Sequence, residues 1–347
     1  MRGCQGIKVA FLTRYDRSRA SSRVRVYDYL PHLQRMGFEC RVLPLPQRLT
    51  LATKVHYLLK ALWLARWSQV VVLQKLVLRE AFVDAIKKTN PKIVFDFDDA
   101  LWAVPDSLQQ DSFAQVRHQI QEQRLRYIFT HACCVIAGSN YLADRATKFA
   151  PWVEVIPSSV DLERYPPKNE WSESPVVLGW IGSAENLVDF APILPALREL
   201  VRRTEKVYVK VVSARPPSWD GIPLSFENWK LGCDATFLHS FEIGLMPLND
   251  SERSRGRCAF KAVQYMAVGL PVVASPVGAA AEVIVHGETG FLAASIEEWI
   301  DCLSRLARDK ALRIRLGKAG RSRVERLFSI QANAPKLASI LREIALS

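Results

Sequence analysis

The chain has 347 residues, 49% hydrophobic and 24% charged, a mix that excludes a disordered chain and suits two cores of about 150 residues each. Its net charge is +12, and residues 1–165 carry 24 Lys/Arg against 15 Asp/Glu, so +9 of it lies in the first half. That half suits an anionic membrane or a phosphorylated substrate; without zinc-finger spacing or an RNP-like strand, the expectation is no nucleic-acid partner.

Seven cysteines (Cys4, Cys40, Cys133, Cys134, Cys233, Cys258, Cys302) are scattered without metal-ligand spacing. The Cys133-Cys134 pair in an apolar run reads as buried thiols of a reducing compartment. The apolar run after Met1-Arg-Gly-Cys-Gln is too short for a signal peptide, and no later stretch reaches transmembrane length. The expectation is a cytoplasmic protein.

Strand patterns fall at 7–12, 39–43, 70–73, 93–95, 133–137 and 153–156, separated by helical patterns at 23–36, 51–67, 81–88, 112–129 and 141–149. Val/Ile-rich strands alternating with helices predict a parallel sheet covered on both faces. Residues 156–175, rich in Pro and Ser, read as a linker. The alternation then restarts: strands at 176–181, 207–212, 243–246 and 271–274, helices at 190–203 and 261–268. Three amphipathic segments close the chain at 296–308, 311–326 and 332–346. The predicted fold class is α/β, two doubly wound Rossmann-like domains facing a cleft. The predicted boundaries are 1–160, 161–330 and a terminal helix, 331–347, returning to the first domain. Ligands bind at the carboxyl ends of such strands.

Arg253, Arg255, Arg257 and Lys261 lie between a strand end and a helix start. Unpaired N–H groups there favour an anion, and a leaving diphosphate is one. A solvated basic loop has the same composition.

The run Lys261-x-x-Gln-Tyr-Met-Ala-x-Gly-x-Pro-Val-Val-Ala-Ser-Pro-Val-Gly278, followed by Glu282 and Gly287-Glu-Thr-Gly-Phe291, resembles the donor-binding core of family 4 glycosyltransferases. Ala137-Gly-Ser-Asn-Tyr-Leu142, Val153-Glu-Val-Ile-Pro-Ser-Ser-Val-Asp161, Leu178-Gly-Trp-Ile-Gly-Ser183 and Phe241-Glu-Ile-Gly-Leu-Met-Pro-Leu248 extend the resemblance over most of the chain. It implies a GT-B enzyme of the group 1 type, a hexosyltransferase that retains anomeric configuration. Its partners would be a nucleotide-sugar donor and a glycan or lipid-linked acceptor, as in polysaccharide biosynthesis. No cofactor or metal is expected, the nucleotide-sugar being a substrate.

The family carries two glutamates eight positions apart; the motif register places the first at Gly256 and the second at Gln264. Glutamine still offers an acceptor and donors to ribose hydroxyls, whereas glycine offers only backbone. Lys261, one helical turn before Gln264, is implied to face the diphosphate. The expected donor-binding residues are Gly182, Ser183, Lys261, Gln264, Arg257 and Glu282. Gly182 either lets a diphosphate approach or simply makes a tight turn.

Asp96-Phe-Asp98-Asp99 ends a strand, and Asp98 and Asp99 are the catalytic candidates because crowded carboxylates raise one pKa toward proton transfer. Alternation places Asp96 and Asp98 on one side with Asp99 turned away. A loop-capping role is the alternative. Arg19, Arg23 and Arg25 follow the first strand and either meet an anionic substrate or lie at the surface, with Ser21 or Ser22 as N-cap.

Trp63 and Trp67 on the 51–67 segment, with Lys54, Lys60 and Arg66, suit either a core helix or an interfacial one. The interfacial case would hold the protein peripherally at the inner face of the membrane. Two further readings share the fold: a non-catalytic glycan- or partner-binding protein, and a nucleotide-sugar epimerase.

Overall fold

The computed structural model describes residues 6–48, 50–105, 108–204 and 206–347. The expectations for the N-terminal run and for Cys4 fall on residues 1–5, outside the described residues. The chain divides into two compact units: one of residues up to Ser159 with Gly256–Cys258 and Ile330–Ser347, the other of Val160–Arg255 and Ala259–Ser329.

The first unit holds β1 (Ile7–Thr13), β2 (Phe38–Pro44), β3 (Val70–Gln74), β4 (Ile93–Phe97), β5 (Cys134–Ala137) and β6 (Val153–Val155). They form one parallel sheet in the order β2-β1-β3-β4-β5-β6. Alternate residues feed two cores. Ala10, Leu12, Val71, Leu73 and Phe95 meet the helices Leu51–Trp67, Glu80–Thr89 and Ser112–His131. Val9, Phe11, Val70, Val72 and Val94 meet the terminal helix Ile330–Leu346 through Ala338, Leu341 and Ile344.

The second unit holds β7 (Val176–Ile181), β8 (Val207–Ser213), β9 (Leu224–Asn228), β10 (Ile243–Met246), β11 (Val272–Ala274) and β12 (Gly290–Leu292). Its parallel order is β12-β11-β10-β7-β8-β9. Each sheet reverses its winding once, between β1 and β3 in the first and between β7 and β10 in the second. Such reversals open a crevice at the strands' carboxyl ends.

Three segments depart from expectation. The single helix predicted at 23–36 is instead a turn Ala20–Ser22, a π-turn Arg23–Tyr27 and a short helix Leu30–Arg35, because Asp28 N–H reaches back to Arg23 O at 2.9 Å and Pro31 starts a new helix. The helix predicted at 190–203 begins only at Leu194, behind a 3-10 stretch Ala184–Ile193 that contains Pro192. The 156–175 stretch is not a free linker beyond Ser159. Lys168 Nζ donates to His239 O and Phe241 O and pairs with Glu242, which also accepts from Ser172 N–H. These bonds bind it to the second unit.

Candidate functional site

In the first unit the carboxyl ends of β1, β3 and β4 meet in a polar network. Ser22 Oγ donates to Gln74 Oε1 at 2.7 Å, and Gln74 Nε2 donates to Ser21 Oγ at 3.3 Å. Ser21 Oγ in turn donates to Asp98 Oδ1 at 2.7 Å. Ser21 and Ser22 therefore serve this network and not as N-caps; Arg19 occupies that position and makes no side-chain cap.

Lys75, one residue past β3, has a φ of 55°, rare for a residue with a side chain. Its N–H donates to Asp96 O at 2.7 Å, and its ammonium lies 3.1 Å from Asp98 and pairs with Asp99 as well. Strand alternation stops at Phe97, which lets Asp98 and Asp99 converge on Lys75 while Asp96 turns elsewhere. This reverses the expected grouping.

The two carboxyls differ electrically. Burial works to raise Asp98, but Lys75 and then Arg25 outweigh it and hold that carboxyl below its usual range. Burial raises Asp99 against the pull of Lys75, and the charge of Asp98 adds to the rise. Asp99 still keeps 46% of its side-chain surface, so its edge meets water while dense protein behind it disfavours charge. Burial opposes the Lys75 charge, yet its two carboxylates raise it well above the usual lysine range.

The arginines separate. Arg25 is buried, its Nε 3.0 Å from Asp96 Oδ1, its Nη2 on Asp96 Oδ2 and its Nη1 on Ile156 O. These bonds commit it to the fold and remove it from the substrate-facing candidates. Arg23 is also buried, with Nη1 donating to Ser18 O, and Arg19 is exposed.

Residues 256–258 belong to the first unit. A Cβ at Gly256 would lie 2.6 Å from Ala100 N, so no side chain fits there. Cys258 Sγ donates to Asp98 O at 3.2 Å, and the positive charge of Arg257 acts on Asp99.

In the second unit, Lys261 lies in the first turn of the helix Phe260–Ala267, behind Ala259 in the left-handed region. Its ammonium is 5.4 Å from the Trp180 ring centre. Its stem crosses Gly182, where a Cβ would meet Lys261 Cε at 2.6 Å. Gly182 N–H is already spent on Val212 O at 3.1 Å, so this glycine makes room for the lysine and is not a donor to a ligand.

Gln264 is buried and donates from Nε2 to Tyr165 Oη at 3.0 Å, which leaves its carbonyl and its other N–H. Ser183 is exposed beside Gly182 at the start of the 3-10 stretch. Glu282 is half-buried on the short helix Ala280–Val283. Arg255 forms a bidentate pair with Asp250, Arg253 is exposed on Glu252–Arg255, and Arg257 sits with the first unit.

Two groups thus emerge, Lys261 with Gly182 in one unit and Asp98, Asp99 with Lys75 in the other. Lys75 had no sequence signal: Leu73-Gln-Lys-Leu76 is an ordinary strand exit. Among the described residues, no group of three or more His, Cys, Asp or Glu is placed to hold a metal ion.

Residues 231–309 match the family model described as glycosyl transferases group 1. No curated protein matches the sequence. Among solved structures, sucrose-phosphate synthase from Thermosynechococcus elongatus is similar at a TM-score of 0.75 and 16% identity, over 98% of this chain and 100% of that one. A glycosyltransferase from Rickettsia africae gives 0.70 and 16%, over 98% of each chain. The Anabaena protein HepE, solved with UDP and glucose, gives 0.69 and 14%, over 97% of this chain and 100% of that one. At these identities the likeness is one of fold, and that fold is GT-B.

Proposed function

We propose that this chain, which carries a group 1 glycosyl transferase domain over residues 231–309, moves a hexose from a nucleotide-sugar to a glycan or lipid-linked acceptor. Lys261 carries the reading. It stands in the first turn of a helix, and its stem crosses a glycine at a sheet's winding reversal. A cation in the first turn of a helix stabilises the negative charge that grows on a departing diphosphate. The complex of the Anabaena relative with UDP and glucose supports a donor of that class. Gln264 would present its carbonyl to the ribose, with Ser183 and Glu282 toward the remainder of the donor.

In the other unit, Asp99 would take the proton of the acceptor hydroxyl as its oxygen bonds to the anomeric carbon. The bond from that carbon to the diphosphate oxygen breaks, and the electron pair leaves with the diphosphate. Asp98 would hold Lys75 and Ser21 in place. Retention, which the family resemblance implies, would need the acceptor oxygen to attack from the same face that the diphosphate leaves. Asp96 already faces Arg25, and Asp98 and Asp99 face Lys75, so transfer is proposed to need no metal.

One observation favours a second reading, a non-catalytic nucleotide or glycan binder: Gly256 is packed against Ala100, with no side chain to hold the donor sugar. Sugar transfer, or slow donor hydrolysis, measured with excess chelator decides between them. Lys261→Ala should lower kcat/KM by about 100- to 1000-fold, the scale for losing one transition-state charge partner. An unchanged rate removes Lys261 from the chemistry, loss of activity with chelator alone removes the metal-free proposal, and nucleotide binding without turnover of any donor favours the second reading.

A further inference from the structure

In the second unit β7 and β10 flank the winding reversal, yet their ladder pairs only Leu178 with Ile243 and Gly179 with Gly244. It stops there although β7 runs on to Ile181 and β10 to Met246. In a parallel ladder of this register the next bond would join Ile181 N–H to Leu245 O directly. A side chain takes its place. Ile181 N–H donates to Tyr265 Oη at 3.2 Å, and the same hydroxyl donates to Leu245 O at 3.2 Å. One hydroxyl thus satisfies a donor on β7 and an acceptor on β10 that would otherwise be buried unpaired.

The ring reaches this gap because the last paired residues are glycines. A Cβ at Gly244 would lie 2.5 Å from the Tyr265 ring, and one at Gly179 would lie 1.9 Å from the Phe241 ring. The two rings meet edge to face with centroids 6.4 Å apart. Tyr265 is fully buried, and that burial holds its hydroxyl well above the ordinary tyrosine range. It therefore stays protonated and keeps donating to Leu245 O.

Tyr265 and Lys261 stand four residues apart on the helix Phe260–Ala267, one turn from each other on the same face. Ile181, which Tyr265 holds, lies between Trp180, whose ring faces the Lys261 ammonium, and Gly182, which the Lys261 stem crosses. The end of β7 is thus held from both sides, Gly182 N–H by Val212 O of β8 and Ile181 N–H by Tyr265. We infer that Tyr265 is a positioning residue. Its hydroxyl, inserted in place of a ladder bond, sets the width of the crevice between β7 and β10 and fixes the strand end that Lys261 lies against. Direct closure of that bond would draw the two strand ends to the spacing of a paired sheet, about 4.8 Å, and narrow the crevice. The inference rests on the transferase reading for what Lys261 does, and adds to it the group that keeps its surroundings in place.

Tyr265→Phe removes the hydroxyl and keeps the ring, and two measurements on the full chain read its effect. The first is sugar transfer, or slow donor hydrolysis, with whichever of UDP-, GDP-, ADP- and TDP-glucose is turned over fastest. In the otherwise unaltered chain kcat should fall about tenfold while the donor KM changes less than about threefold. In the Lys261→Ala background the same change should alter kcat less than about twofold, because the group it serves is gone. A residue that only stabilises the fold would act equally in the two backgrounds. The second measurement is amide hydrogen exchange, read residue by residue without nucleotide. Exchange at Ile181 and Gly182 should quicken at least about tenfold, and at Leu178 and Gly179, inside the ladder, it should change less than about twofold.

Equal effects in the two backgrounds, none included, overturn the inference. So do unchanged exchange at Ile181, faster exchange at all four amides alike, and a Tyr265→Phe chain that does not fold. An unaltered chain that turns over none of the donors loses the transferase reading, and the exchange pattern alone then decides whether Tyr265 holds the strands apart.

Discussion

Lys75 directly follows β3, and Lys261 stands in the first turn of the helix Phe260–Ala267. Lys75 is saturated by Asp98 and Asp99, so its effect is to set the difference between them. Asp98 is held low, and Asp99 is pushed up by burial and by its neighbour's charge. A base must be ionised to accept a proton, so activity should fall as pH drops through an Asp99 value above the ordinary carboxylate range. Asp99→Asn should lower kcat/KM by about 100- to 10000-fold and flatten that acid limb. A pH–rate profile identical to that of the unaltered chain would remove Asp99 from the mechanism. At this scale the sequence was half legible. Asp98-Asp99 and Lys261 stand out by type and position. Lys75 does not, because its partners come from the next strand and only the parallel register brings them together. Arg25 misleads for the converse reason: an arginine early in a helix is usually solvated, but the π-turn points it inward to Asp96.

The alternation of Val/Ile strands with helices was readable wherever an element is buried on a sheet face, as in β3 and β4, every residue of which is buried. It failed at two strands of the second unit. β9, Leu224-Ser-Phe-Glu-Asn228, is an edge strand with exposed and half-buried residues, and its pattern carries little period. β12 is three residues long, too short to signal itself. Prolines moved helix starts, since Pro31 and Pro195 each open a helix inside a longer periodic run. The terminal helix has the clearest consequence. Leu341 is fully buried against the first unit's sheet, although the helix follows the second unit in sequence. Leu341→Ala should cost about 2–5 kcal/mol of that unit's stability, read as a lower midpoint for its unfolding. A melting curve superimposable on that of the unaltered chain would show that this helix does not hold the unit together.

Over the whole molecule, two parallel six-stranded sheets with flanking helices make a GT-B chain. That two sheets were present could be read from the restart of the pattern at Val176. The destination of residues 256–258, inside the first unit although they interrupt the second, could not, since it depends on close approach at Gly256 and on the bond from Cys258 to Asp98. The central claim is that the second unit binds a nucleotide-sugar through Lys261. Titration calorimetry with UDP-, GDP-, ADP- and TDP-sugars, on the unaltered chain and on Lys261→Ala, tests it most directly. Saturable binding of at least one donor, weakened about tenfold or more by Lys261→Ala, is the predicted result. Absence of binding across the panel, or equal affinity in the two proteins, would contradict it.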